Sequence, residues 1–270
     1  MEKSQVLRTI IAARRRRIAE LRGTTPLETL RQAAELRSDF RDFAQAISGE
    51  VLSVIAELKR ASPSRGVLRP EYHPQEIAES YQQAGASALS VLTEEQFFQG
   101  SLNDLKTVRE VVQIPVLRKD FIVDEYQVYE AVAAGADALL LIVAALEDED
   151  LKDLIELSGR LHVTPLVEVH TAEELERAVA AGARILGINN RNLNTLEVSL
   201  ETSFRLREMI PSSCLAVSES GIKTGSDLER LAKAGFNAVL IGEHLMLADD
   251  PGAELSRLLK SAPTLKMAGA

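Results

Sequence analysis

The sequence predicts an α/β protein, a (β/α)8 TIM barrel with an N-terminal helical extension. Three observations predict it. A motif of small residues recurs four times at intervals of about 50 residues, the self-similarity expected of a fold built from repeated units. Eight short apolar runs that do not alternate in polarity fall along the chain, as suits strands buried on both faces of a parallel sheet. Helical patterns separate those runs.

The repeats read Ala84-Gly85-Ala86, Ala134-Gly135-Ala136, Ala181-Gly182-Ala183 and Ala234-Gly235-Phe236. Each ends a helix-like stretch and opens an apolar run. Glycine suits a helix C-terminus because it takes the left-handed conformation without a Cβ penalty. Interleaving four further runs, at 51–58, 115–117, 163–169 and 215–217, places strands beginning near residues 51, 87, 115, 137, 163, 184, 215 and 237. Helices are predicted over 74–84, 105–112, 124–134, 172–181 and 225–234. Eight βα units fit a barrel of ordinary size. A doubly wound open sheet would want a glycine-rich first βα turn, and the stretch after the first strand has a single glycine, Gly66.

Residues 1–50 are assigned to the helical extension, 51–260 to the barrel and 261–270 to a frayed tail. Thr25, Pro26 and Glu28 predict a capping box with proline at the first helical position, and two helices are expected. They either pack across one barrel end or cover the mouth of the site. Arg14, Arg15, Arg16 and Arg17 lie among Leu7, Ile10, Ile11 and Ile18 at helical spacing. They read as the solvated face of an amphipathic helix, a basic arm drawing in an anionic ligand being the other reading.

The 270 residues are 46% hydrophobic and 26% charged, values that exclude a disordered or low-complexity chain. A net charge of -9 argues against nucleic acid as a bulk partner. No apolar run approaches the ~20 residues of a membrane span, and the N-terminus lacks a secretory pattern. One cysteine, Cys214, excludes a disulfide framework and reads as core. A soluble cytoplasmic protein is expected.

Chemistry in such barrels sits where strands end at their C-terminal side. There the sequence offers Glu57 and Lys59, then Ser62, then Lys119, Glu168, Asn189 with Arg191, Glu219 with Ser220 and Gly221, and Gly242 with Glu243. Glu57, Lys59 and Glu168 interrupt or end β runs. A charge in a buried strand is costly unless paired, and a buried pair adds little stability, so a functional reason is favoured. Two carboxylates, two lysines and an arginine make an acid/base set with cationic excess, suited to an anionic ligand. The Ser220-Gly221 and Gly242-Glu243 pairs follow the last two strands, where barrels of this kind often bind phosphate. Phe97, Phe98 and Phe121 lie near the mouth, as loop packing or as an aromatic wall. The four histidines show no metal-triad spacing, so no metal site is expected; His170 ends the fifth strand, where it could touch the site, and a capping or surface role is preferred for it.

The segments 55–64 (Ile-Ala-Glu-Leu-Lys-Arg-Ala-Ser-Pro-Ser), 92–101, 115–121 (Pro-Val-Leu-Arg-Lys-Asp-Phe), 167–170 (Val-Glu-Val-His), 187–191, 218–222 and 240–243 together resemble the indole-3-glycerol phosphate synthase family, in the right order, from about residue 3 to 260. The resemblance implies a (β/α)8 barrel with a helical extension. It also implies closure of the indole ring in tryptophan biosynthesis, from 1-(2-carboxyphenylamino)-1-deoxyribulose 5-phosphate, with release of carbon dioxide and water and with no cofactor or metal. Carried over, Lys119 looks like the general acid of ring closure and Glu168 like its partner acid/base in dehydration. Lys59 resembles the lysine near the anionic groups of the substrate, with a second role as proton donor, and Glu57 would orient it. Asn189 and Arg191 would hold the carboxylate and the intermediate. Ser220, Gly221, Gly242 and Glu243 would bind phosphate, helped by Ser62. Phe97, Phe121 and Leu141 would wall the aromatic ring. Some members have serine at the position of Glu243, so its side chain is expected to point away from the phosphate and only its amide to contribute. A small phosphorylated, carboxylated substrate, no nucleic acid or membrane partner, and a monomer or weak dimer complete the expectations.

Three rivals were weighed. A Schiff-base aldolase would use Lys119 as nucleophile. An isomerase of the same pathway would want a reactive cysteine near the first strand, and residues 51–66 hold none. A non-catalytic scaffold would have no need of these buried charges.

Overall fold

The buried apolar runs, four of them opened by left-handed glycines, become the strands of a barrel in the computed structural model, which describes residues 5–192 and 195–261. Helices α1 (Gln5–Thr24), α2 (Leu27–Glu35) and α3 (Phe43–Ala46) come first. Strand β1 (Ser53–Leu58) opens the barrel and is followed by a small hairpin, β2 (Ala61–Ser62) and β3 (Gly66–Val67), which the apolar pattern did not announce. Then come α4 (Pro74–Gln83), β4 (Ala88–Leu92), α5 (Leu102–Val111), β5 (Val116–Lys119), α6 (Glu125–Ala133), β6 (Ala138–Ile142) and a 3-10 turn (Val143–Ala145). The chain continues through α7 (Asp148–Arg160), β7 (Thr164–Val169), α8 (Ala172–Ala180), β8 (Ile185–Asn189), α9 (Glu201–Arg207) and β9 (Leu215–Glu219). It ends with α10 (Gly225–Lys233), β10 (Ala238–Ile241), α11 (Glu243–Met246) and α12 (Pro251–Lys260).

The order β1-β4-β5-β6-β7-β8-β9-β10 closes on β1, and every pairing in it is parallel. The repeat explains how each return is made. Gly85, Gly135, Gly182 and Gly235 all have φ between 83° and 100°, and the next residue donates back to the carbonyl five positions earlier, as in Ala86 N–H to Tyr81 O at 3.0 Å. Each helix is thereby stopped and the chain turned straight into the next strand.

The N-terminal helices occupy both ends of the barrel. Helix α1 packs on the rim at the C-terminal side of the strands. Helix α2 descends beside α6, and α3 brings the fully buried Phe43 and Ile47 under the strand N-termini near Ser53. Three helices form where two were expected. The capping box at Thr25 does not form: α1 runs on to Thr24, the Thr25 N–H is taken by Leu21 O, and Pro26 holds the cap position of α2. The arginine run is not uniformly solvated. Arg15 and Arg16 are exposed, but Arg14 is buried against Asp120 because it shares a helical stripe with Leu7, Ile11 and Ile18. Beyond Ser261 the expected tail lies outside the described residues. No helix among the described residues is long and apolar enough to cross a membrane.

Candidate active site

Side chains alternate along each strand, so one parity faces the barrel axis. At the C-terminal ends that parity is Glu57, Lys119, Glu168, Asn189 and Glu219. The registers Glu168 with Ile142 and Gly187, and Asn189 with Glu219, put these side chains on one face of the sheet. They open into a cavity of about 810 Å³.

Lys119 is the centre of the cluster. Its Nζ lies 2.6 Å from Glu219 Oε2 and 3.1 Å from Glu168 Oε2. Burial alone would lower its pKa, but Glu219, Glu168 and the more distant Glu57 outweigh this and raise it above the usual lysine value. The ammonium is therefore held charged. Burial would push Glu168 up, yet Lys119, His170 and a hydrogen bond from Asn189 hold it below the ordinary carboxylate range. Glu219 goes the other way. Burial, with Glu168 and Glu57 nearby, outweighs Lys119 and raises it to about 7, and its Oε1 is buried with no hydrogen-bond partner among the described residues. A second pair stands beside this group: Lys59 Nζ donates to Glu57 Oε1 at 2.7 Å.

Two glycines make room for these carboxylates. A Cβ on Gly187, in the middle of β8, would meet Glu219 Oε1 at 2.2 Å, and one on Gly242 would meet Glu57 Oε1 at 2.2 Å. The mouth is then framed by loops. Ser220 and Gly221 are successive left-handed residues with φ of 68° and 86°. Asn189 Oδ1 accepts from Ser220 Oγ at 2.9 Å and from the Arg191 N–H at 3.0 Å. Arg191 Nη2 reaches Glu243 Oε2 at 3.0 Å, and Arg65 from the hairpin reaches Glu243 Oε1 at 3.2 Å. Glu243 thus lies at the cavity wall with its charge taken by two arginines.

Of the residues singled out from sequence, Glu57, Lys59, Lys119, Phe121, Glu168, Asn189, Arg191, Ser220, Gly221, Gly242 and Glu243 line this cavity. Ser62, Phe97 and Leu141 do not. Leu141 sits on the outer face of β6, and Leu140 and Ile142 take the inner one. Phe97 is displaced by its neighbour: both the Phe97 and Phe98 N–H groups are tied to Glu94, and it is Phe98 that reaches the cavity, 6.0 Å from the Phe121 ring. Ser62 is buried in β2, and Ser64 lines the cavity instead. Two further residues stand at the cluster. Glu219 receives no role from the resemblance, and the glycine inside β8 is the signal that a bulky group approaches there. His170 is neither a cap nor a surface residue: its side chain is 10% exposed and stands against Glu168.

Fold and site together define a class, a (β/α)8 barrel with a charged lysine between carboxylates at its mouth, the arrangement of an acid–base enzyme. Comparison with known proteins narrows it. The family model for indole-3-glycerol phosphate synthase matches residues 7–258. Proteins of that name are 49% identical over 259 residues in Polaromonas naphthalenivorans, covering 94% of this chain and 98% of the relative. In Chloroherpeton thalassium the identity is 52% over 244 residues, covering 89% and 94%. Among solved structures, 3-hexulose-6-phosphate synthase from Salmonella typhimurium superposes with a TM-score of 0.63 at 14% identity, over 78% of this chain and 100% of that one, which bears on the fold alone. The chain belongs to the indole-3-glycerol phosphate synthase family.

Proposed function

We propose that the protein converts 1-(2-carboxyphenylamino)-1-deoxyribulose 5-phosphate to indole-3-glycerol phosphate, carbon dioxide and water, with Lys119 as the acid of ring closure. The observation that carries this is the Lys119 ammonium, held between Glu168 and Glu219 at 3.1 and 2.6 Å on the cavity floor. As the ring carbon bearing the carboxylate attacks the ketone, the developing alkoxide takes a proton from Lys119, and loss of carbon dioxide restores the aromatic ring. In the dehydration the Glu168 carboxylate takes the proton from the adjacent carbon, and the hydroxyl leaves as water with a proton from Lys59. Glu57, which accepts from Lys59 Nζ at 2.7 Å, keeps Lys59 aimed.

Recognition follows from the same inventory. The substrate carboxylate suits Lys59, Asn189 and Arg191. The phosphate suits the Ser220-Gly221 turn and the backbone N–H groups of Gly242 and Glu243. The side chain of Glu243 stays with Arg65 and Arg191, which removes its repulsion of a phosphate. Phe121 and Phe98 offer a wall for the aryl ring. The single cysteine fits a cytoplasmic enzyme.

The test is direct. The chain has 0 Trp, so indole fluorescence appearing when protein and substrate are mixed reports product against a low background. A signal from the wild type that is absent in Lys119→Ala is expected. A Lys119→Ala protein with normal turnover removes Lys119 from the reaction. Borohydride trapping of a covalent adduct on Lys119 would turn the reading toward a Schiff-base mechanism.

A further inference from the structure

His170 follows β7 immediately, two residues after Glu168, and its ring lies between two carboxylates. On one side Nδ1 faces Glu174 Oε2 at 3.2 Å, and the same oxygen accepts the His170 backbone N–H at 2.7 Å. Glu174 is fixed in turn at the start of α8, where its N–H is capped by Thr171 Oγ1 at 3.2 Å. On the other side Nε2 lies 3.4 Å from Glu168 Oε1. Nε2 is buried and has no hydrogen-bond partner among the described residues. Glu168 thus has a basic group near each oxygen: Lys119 donates to Oε2, and the His170 ring lies within ion-pair reach of Oε1.

A neutral imidazole is a poor occupant of this position. With its single proton on Nδ1 toward Glu174, the bare Nε2 lone pair would face a carboxylate oxygen in a buried setting. An imidazolium carries an N–H on both nitrogens and sets a positive charge between the two carboxylates, which removes the conflict. The charged groups facing the ring are Glu168 on β7, Glu174 on α8 and Glu219 on β9, with Lys119 on β5 reached through Glu168. Carboxylates dominate that set.

We propose that His170 is a positioning residue that, as an imidazolium bridging Glu174 and Glu168, keeps Glu168 ionised and turned toward Lys119. Burial alone would lower the His170 pKa, but the hydrogen bond the ring donates to Glu174 and the charge of Glu168 raise it, in keeping with this geometry. The inference rests on Glu168 being the base of the dehydration, and it concerns what sets the protonation of that base.

The experiment is the pH profile of kcat for wild type, His170→Gln and Glu168→Gln, together with NMR titration of the His170 ring in wild type and Glu168→Gln. In His170→Gln the loss of the positive charge should move the acid limb of kcat to higher pH by about one unit, with KM changed less than about twofold. In Glu168→Gln the ring should titrate at lower pH than in wild type, because the coupling is reciprocal. This second measurement leaves His170 in place and decides the matter if His170→Gln does not fold. An unmoved acid limb in a folded His170→Gln protein, or a His170 titration indifferent to Glu168→Gln, overturns the proposal. Undiminished turnover in Glu168→Gln removes Glu168 from the chemistry and the proposal with it. An inactive Glu168→Gln with an unmoved limb in His170→Gln removes only the proposal.

Discussion

The two ends of the barrel each bury a cluster of charge, and they are finished differently. At the N-terminal floor, Asp137 has no exposed side-chain surface and is saturated. Arg37 Nη2 lies at 2.6 Å, the Val116 and Arg41 N–H groups at 3.0 and 3.1 Å, and Arg109 Nε at 3.6 Å. At the C-terminal mouth, Lys119 is shared between two carboxylates, while Glu219 Oε1 and His170 Nε2 are left without hydrogen bonds among the described residues. The floor cluster ties Arg37 and Arg41 of the N-terminal segment to β5 and β6. The mouth cluster opens into a cavity and ties down nothing. A buried charge whose bonding is complete serves structure; one left incomplete beside a cavity is poised to exchange protons.

This contrast is open to attack by substitution, the largest expected effect first. Lys119→Ala should lower kcat about 10³-fold, the range of a lost general acid, with a modest change in KM. Its stability near pH 6 should change less than its turnover, because Glu219 is already mostly protonated there and the buried Glu168 can also take up a proton once the ammonium is gone. Steady-state kinetics and urea unfolding of the same preparation check both halves. Asp137→Ala should do the reverse. Leaving Arg37 buried with its main partner gone should cost about 3 kcal/mol in urea unfolding, while kcat of the folded fraction stays near wild type. A floor variant that loses activity without losing stability would erase the distinction.

The next effect is a slope rather than a step. Burial raises the Glu219 pKa to about 7 in the folded protein. Between about pH 4.5 and 7 the folded state then keeps a proton that the unfolded state has released, so this group makes stability fall as pH rises through that window. The steepest contribution is about 1.4 kcal/mol per pH unit. Glu219→Gln should flatten it, as unfolding midpoints measured at pH 5, 6 and 7 would show. The smallest effect lies outside both clusters. Thr224 and Asp227 form a reciprocal capping box at the start of α10, and Thr224→Ala should cost about 1 kcal/mol with kinetics unchanged.

The strands were legible because each is an apolar run buried on both faces, and four of the eight follow a glycine that only a helix stop requires. Glu57, Lys59, Lys119 and Glu168 were legible for the opposite reason, as charges placed where burial penalises them. Leu141 and Phe97 were misjudged by one residue each. Composition says that a leucine or a phenylalanine is near the mouth, but the inward face is set by strand parity and by the ties to Glu94. Arg14 was misjudged because a basic run gives no sign of which member shares the stripe that packs on Asp120.

The sequence by itself determined the eightfold alternation of strand and helix, the stops between them and the residue types at the strand ends, since all of these are local properties of pattern and backbone preference. Only the tertiary structure decided which of those residues meet. Closing the barrel sets Lys119, Glu168 and Glu219, which lie on three strands far apart in the chain, within hydrogen-bond reach. It also decided the protonation each one holds, because desolvation and charge pairing exist only once the groups share a buried volume. His170 shows this most plainly: on the chain it is a polar residue after a strand, and in the fold its ring is seated between two carboxylates.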